Sequence, residues 1–159
     1  KYKQMKTLNI GDQVPSFEGV DQNNEKISSS DFIGGKWVVY FYPKDNTPGC
    51  TAQACSLKEG YDELLSNGIK VLGVSADSVK SHDKFSTKFS LPFPLLSDES
   101  KEVINLFGVW GPKKFMGREY DGIHRITFVI NEHNEVTHVV HKPKTKDHAN
   151  EILKLLDLK

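Results

Sequence analysis

The sequence predicts an α/β fold in which a mixed central sheet carries helices on both faces and an N-terminal hairpin, within one domain spanning residues 1–159. Three observations lead there. Residues 37–42 (WVVYFY) and 69–75 (IKVLGVS) are short, nearly continuous apolar and β-branched runs, the pattern of strands buried on both faces. Stretches of helical periodicity alternate with them, which calls for a layered αβ arrangement. Near the C-terminus two shorter apolar runs flank a polar turn, the mark of an antiparallel hairpin. A chain of 159 residues is long enough to enclose one sizeable core.

The elements follow in order. Residues 10–33 are rich in Gly, Asn, Ser and Asp, with apolar pieces at 16–20 and 26–28, and read as a small hairpin or extended arm. The strand at 37–42 ends at Pro43, and 44–49 make a polar loop. Ala54, Leu57, Tyr61, Leu64 and Leu65 recur at helical spacing from Pro48 to about Asn67. Asn67-Gly68, both tolerant of left-handed backbone, stop that helix. The strand at 69–75 and a helix over 79–89 come next. Pro92 and Pro94 punctuate 93–96, which reads as an edge strand. A short helix is expected over 99–107. Periodicity assigns no role to the Gly-rich and aromatic stretch 108–122. Residues 123–130 and 135–141 read as a hairpin about the turn 131–134, and 147–156 as a closing amphipathic helix. Phe85, Phe89, Trp110 and Phe115 either line a pocket or fill the core, and core is the safer reading. This is the element order of a thioredoxin-like fold.

Lys plus Arg and Asp plus Glu both number 21, so the formal charge is zero. No basic or acidic run suggests nucleic acid or a membrane surface as partner, which leaves a small substrate or a protein surface. No apolar stretch follows the N-terminal lysines; a secretory leader would need one of roughly 7–15 residues. Cytoplasm is therefore the expected compartment. Met5 as initiator and a chain trimmed of a leader would look alike.

Only two cysteines exist, Cys50 and Cys55, against six histidines. A secreted disulfide scaffold would carry more cysteines, and a closed zinc site needs four ligands, usually in two close pairs. No metal or cofactor is called for. Redox or nucleophilic chemistry, or a buried inert thiol, remains.

The run Pro43-Lys44-Asp45-Asn46-Thr47-Pro48-Gly49-Cys50 narrows this. Thr47 suits an N-cap and Pro48 the first helical position, so Cys50 falls in the first turn. Unpaired backbone N–H groups and the positive end of the helix dipole lie there, and both favour the reactive thiolate. A simple helix start reads the same Thr-Pro pair without chemistry.

The pattern P-x-x-x-T-x-x-C resembles the active-site signature of peroxiredoxins. The longer run YFYPKDNTPGCTAQACSLKEGYDEL and the block FGVWGPKKFMGREYDGIHRITFVI at 107–130 are similar to the bacterioferritin comigratory protein, or peroxiredoxin Q, branch. With NIGDQVPSFE and the closing helix, the resemblance covers nearly the whole chain. It implies that Cys50 is the peroxidatic cysteine, which becomes a sulfenic acid. It implies that Thr47 hydrogen-bonds the peroxide, that Arg125 of GIHR stabilises thiolate and transition state, that Pro43 shields the thiolate, and that Cys55 is the resolving cysteine. It further implies a hydroperoxide substrate, thioredoxin or a similar dithiol as reductant, and a monomer or weak dimer.

Elementary chemistry agrees. Displacement at an O–O bond places charge on the leaving oxygen, and fixed donors aimed at it contribute several kcal/mol. The N–H groups of Gly49 and Cys50, the Thr47 hydroxyl and Arg125 are such donors. Arg125 lies in an apolar run, where an unpaired guanidinium is costly; a salt bridge to Asp45 or Glu119 is the structural alternative. His124, its neighbour, should face the other way on a strand.

Cys50 and Cys55 share one expected helix. A spacing of five residues puts their Cα atoms roughly 8.5–9 Å apart, beyond the roughly 4.4–6.8 Å of a disulfide. A bond between them therefore requires local unwinding. Two further readings use the same residues: a thiol–disulfide oxidoreductase, which usually carries C-x-x-C, and a non-catalytic peroxide sensor.

Overall fold

The computed structural model describes residues 5–158. Nine strands and five helices are found among them: β1 Glu18–Val20, β2 Lys26–Ser28, β3 Lys36–Phe41, α1 Pro48–Glu59, α2 Tyr61–Ser66, β4 Ile69–Ser75, α3 Val79–Phe89, β5 Leu95–Ser97, α4 Glu102–Phe107, β6 Trp110–Phe115, β7 Arg118–Ile123, β8 Ile126–Ile130, β9 Val136–Val140 and α5 His148–Leu155.

Seven strands form one mixed sheet in the order β2-β1-β5-β4-β3-β8-β9. The inner strands β3, β4 and β5 are parallel, and β8 joins β3 antiparallel. Alternation along β3 assigns its side chains to two cores. Trp37, Val39 and Phe41 pack on one face with Val103, Ile104 and Phe107 of α4. Val38, Tyr40 and Tyr42 pack on the other with Ala54 and Leu57 of α1, Leu64 of α2, Phe85 of α3, and Ile152 and Leu153 of α5. Each fully buried large apolar side chain contributes about 1.5–3 kcal/mol, so the central strands hold the sheet on both sides.

The structure corrects or completes the reading at several places. The helix from Pro48 to Asn67 is two helices divided at Gly60 (φ −98°, ψ 7°), where α5 packs so closely that a Cβ would overlap the Cβ of Ala149. Its stop is as read, with Gly68 at φ +75°. The segment at 93–96 becomes β5, an interior strand: the N-terminal hairpin covers its outer side through Val20 and Ser97. The stretch 108–122 contains a second, two-stranded sheet of β6 and β7, turning at Met116 and Gly117, both with positive φ. Phe115, near that turn, is 64% exposed and outside the core, whereas Phe85 is buried, with Phe89 and Trp110 packed beside the two cores.

The run 123–130 is also interrupted. β7 ends at Ile123 and β8 begins at Ile126, so His124 and Arg125 occupy a break between strands. The break frees Arg125 to reach across to the start of α1.

Candidate active site

β3 ends beneath the N-terminus of α1, and the loop 43–47 joins them. Thr47 holds the N-cap position with extended backbone (φ −92°, ψ 157°), and Pro48 opens the helix. The Thr47 hydroxyl makes no cap: it donates to the Lys44 carbonyl at 2.9 Å. An N-cap side chain would ordinarily take the N–H of the second or third helical residue, here Gly49 or Cys50. Among the described residues, no acceptor occupies those two N–H groups. They surround a thiol that is 1% exposed.

Arg125 completes the site from the opposite side. Its Nη2 lies 3.3 Å from Cys50 Sγ, and its Nη1 donates to Gln53 Oε1 at 2.7 Å. The salt-bridge alternative is overturned: no carboxylate pairs with Arg125 among the described residues, and Asp45 is buried in a separate set of contacts. Gly49 eases the approach, since a Cβ on it would crowd Arg125 Nη2 at 3.1 Å. Gln53 was not singled out by the sequence. It is completely buried, and its position one helical turn after Cys50 is the signal that could have found it.

The β6–β7 hairpin braces the arginine. Lys113 Nζ donates to the Ile123 carbonyl at 2.9 Å, and His124 Nε2 lies 3.0 Å from the Pro112 carbonyl. Burial, then the Arg125 charge, pulls the Lys113 ammonium below its ordinary pKa, while Cys50 opposes the shift. Beside Arg125 opens a cavity of about 510 Å³, lined among others by Lys113, His124, Ile126, His141 and Thr145.

Pro43 is half-buried at the head of the loop. Beneath the site, the Tyr40 hydroxyl is buried with no partner among the described residues. Burial, then the charge of Cys50, raises its pKa well above the ordinary value. Asp45, Asp77 and His82 bring potential ligand atoms within 4.8 Å of one another, but both His82 nitrogens and Asp45 are already engaged in hydrogen bonds.

Cys55 lies on α1 as well, half-buried, and both thiols are free. The next residue, Ser56, accepts the His148 backbone N–H at 3.2 Å, which ties this part of α1 to α5.

Comparison with known proteins identifies the chain. The AhpC/TSA family model matches residues 10–139. Peroxiredoxin Bcp of Escherichia coli is 47% identical over 152 residues, covering 96% of this chain and 97% of the relative. A cysteine-to-serine variant of PrxQ from Xylella fastidiosa superposes with a TM-score of 0.89 at 33% identity, over 96% of this chain and 97% of that one. The bacterioferritin comigratory protein of Xanthomonas campestris, described for its alkyl peroxide reduction activity, gives 0.82 at 35% identity over 89% and 90%. With a thiol and an arginine meeting at a helix start on a thioredoxin-type sheet, the chain belongs to the AhpC/TSA family as a thiol-dependent peroxidase of the Bcp and peroxiredoxin Q kind.

Proposed function

We propose that the chain reduces hydrogen peroxide and organic hydroperoxides through Cys50, with Cys55 as resolving thiol and a thioredoxin-type dithiol as reductant. The observation that carries this is the 3.3 Å approach of Arg125 to Cys50 Sγ, in a first helical turn whose N–H groups stand open. The Cys50 thiolate attacks one peroxide oxygen, the S–O bond forms as O–O breaks, and the leaving oxygen takes a proton. Arg125 and the N–H groups of Gly49 and Cys50 meet the charge as it develops. Thr47 presents its hydroxyl oxygen to the peroxide side while its proton is held by Lys44, and Pro43 limits access of water. The cavity beside Arg125 accommodates the organic part of a larger hydroperoxide.

The Cys55 thiolate then attacks the sulfenic sulfur and releases water, closing a disulfide. Because an intact α1 holds the pair roughly 8.5–9 Å apart, the turns between them unwind. The external dithiol exchanges with this disulfide, and the helix re-forms. Two free cysteines and no other redox group among the described residues suit a reducing compartment, and we place the protein in the cytoplasm as a monomer or weak dimer.

A coupled assay with thioredoxin, its reductase and hydrogen peroxide tests the cycle. Cys50→Ser should lose all activity. Cys55→Ser should consume one equivalent of peroxide and then stop. Undiminished turnover in Cys55→Ser would remove that thiol from the cycle, and activity in Cys50→Ser would remove the proposal.

A further inference from the structure

The loop that presents Cys50 is anchored from below by a buried polar cluster that the cycle above does not use. Asp45, five residues before the thiol, is 6% exposed. Its Oδ1 accepts the Tyr42 hydroxyl at 2.6 Å, and its Oδ2 accepts the Ser81 hydroxyl at 2.8 Å and faces His82 Nδ1 at 2.7 Å. Its backbone N–H donates to Asp77 Oδ2 at 2.9 Å, and Asp77 also accepts the Ser75 hydroxyl at 2.6 Å. Asp45 thus ties the catalytic loop through its carboxylate to the end of β3 and the start of α3, and through its backbone N–H to Asp77 at the exit of β4.

His82 is completely buried, and its other nitrogen, Nε2, lies 3.0 Å from the Leu96 carbonyl. A carbonyl only accepts, so Nε2 carries a proton. Nδ1 faces an oxygen that already receives hydrogen bonds on both arms of its carboxylate, and such donors favour the carboxylate anion. The titratable groups facing the ring are Asp45 from the loop and Tyr42, just after β3, whose hydroxyl is 3.5 Å from Nδ1. Asp77 accepts from the Asp45 backbone N–H and has a carboxylate oxygen within 4.8 Å of both the Asp45 carboxylate and the His82 ring. No lysine or arginine pairs with Asp45 among the described residues.

We propose that His82 is a positioning residue for the peroxidatic thiol, held as an imidazolium that neutralises Asp45 and fixes the loop from Tyr42 to Cys50. The inference rests on the reading of Cys50 given above. Neither member of the pair touches the sulfur. Their effect is geometric and electrostatic: they hold the first turn of α1 against Arg125, where an ångström of displacement is costly. They also keep the Asp45 charge from opposing the thiolate. Loss of His82 alone would leave that carboxylate buried and unbalanced, five residues from the sulfur.

The test is stopped-flow reaction with hydrogen peroxide, as a function of pH, for wild type, His82→Gln, Asp45→Asn and the double variant. His82→Gln should react at least about tenfold more slowly at neutral pH, with its pH–rate profile displaced to higher pH. The double variant, with both charges gone, should return the profile to the wild-type position while its rate stays low. A purely structural role would lower thermal stability and leave the profile in place, and that result would overturn the proposal. Nitrogen NMR of the wild type reads the ring directly even where a variant fails to fold: two protonated nitrogens on His82 at pH 7 are expected, and one bare nitrogen would overturn the assignment. A wild type inert to peroxide would defeat the peroxidase reading itself, whereas an active wild type matched by His82→Gln would defeat only this inference.

Discussion

The two ends of α1 are held by different means. Ahead of Cys50, the loop is bound by short hydrogen bonds in a buried cluster: Tyr42 and Ser81 donate to Asp45, and His82 lies against it. Beyond Cys55, α1 rests on α5 through close packing of Gly60 against Ala149 and the bond from His148 N–H to Ser56 Oγ. Buried polar bonds are costly to break without replacement, whereas a packed helix end can peel away in steps. In the cycle proposed above, the anchored loop keeps its place while the segment from Cys50 to Cys55 unwinds, and the site can re-form after each turnover.

The two buried histidines repeat the contrast. His82 faces a carboxylate and a carbonyl, both acceptors. His148 lies 2.9 Å from Glu151 through Nδ1 and 2.8 Å from the Thr127 hydroxyl through Nε2. A hydroxyl can donate to a bare ring nitrogen, so a neutral ring satisfies every partner of His148. Burial lowers its pKa below 6.5, with Glu151 working the other way.

The largest effect is expected at the arginine. Arg125→Met removes the donor to Cys50 Sγ and should slow peroxide reaction by roughly a hundredfold to a thousandfold. A loss under threefold in stopped-flow kinetics would mean that the helix start suffices alone. Gly60→Ala addresses the other end of α1. The added Cβ meets Ala149, and chemical denaturation should show about 1–3 kcal/mol of lost stability, in line with overpacking elsewhere. Unchanged stability would show that α5 gives way freely.

The smallest effect concerns pH. With its folded pKa lowered, neutral His148 contributes stability that is complete above pH 6.5 and is lost as pH falls through the interval below it. His148→Asn lacks that term. Its melting temperature should trail the wild type most at pH 8 and converge with it towards pH 5. A constant gap would contradict the burial argument.

The sequence made the sheet legible because its strands advertise themselves: residues 37–42 and 69–75 are apolar on both faces and end at Pro43 and Ser75-Ala76. The stop at Asn67-Gly68 was equally local. Features decided by distant partners were not legible. Gly60 divides a continuous helical pattern, and the space a side chain there would fill is taken by Ala149, far along the chain. The segment around Leu95 read as an edge because its prolines are visible, while the arm that covers it pairs through one residue, Val20. The turn at Met116-Gly117 lacked the Asn or Asp that usually marks such a hairpin. In the site, the motif located Cys50 and the resemblance located Arg125. The Arg125–Gln53 bond and the anchoring of Asp45 by His82 depended on tertiary placement and left no local pattern.

The most direct measurement is intact-protein mass spectrometry after one equivalent of hydrogen peroxide. Cys55→Ser should gain one oxygen on Cys50, and the wild type should instead lose two hydrogens, with peptide mapping joining Cys50 to Cys55. Oxidation appearing first on Cys55, or an unmodified Cys50 in the presence of consumed peroxide, would contradict the account.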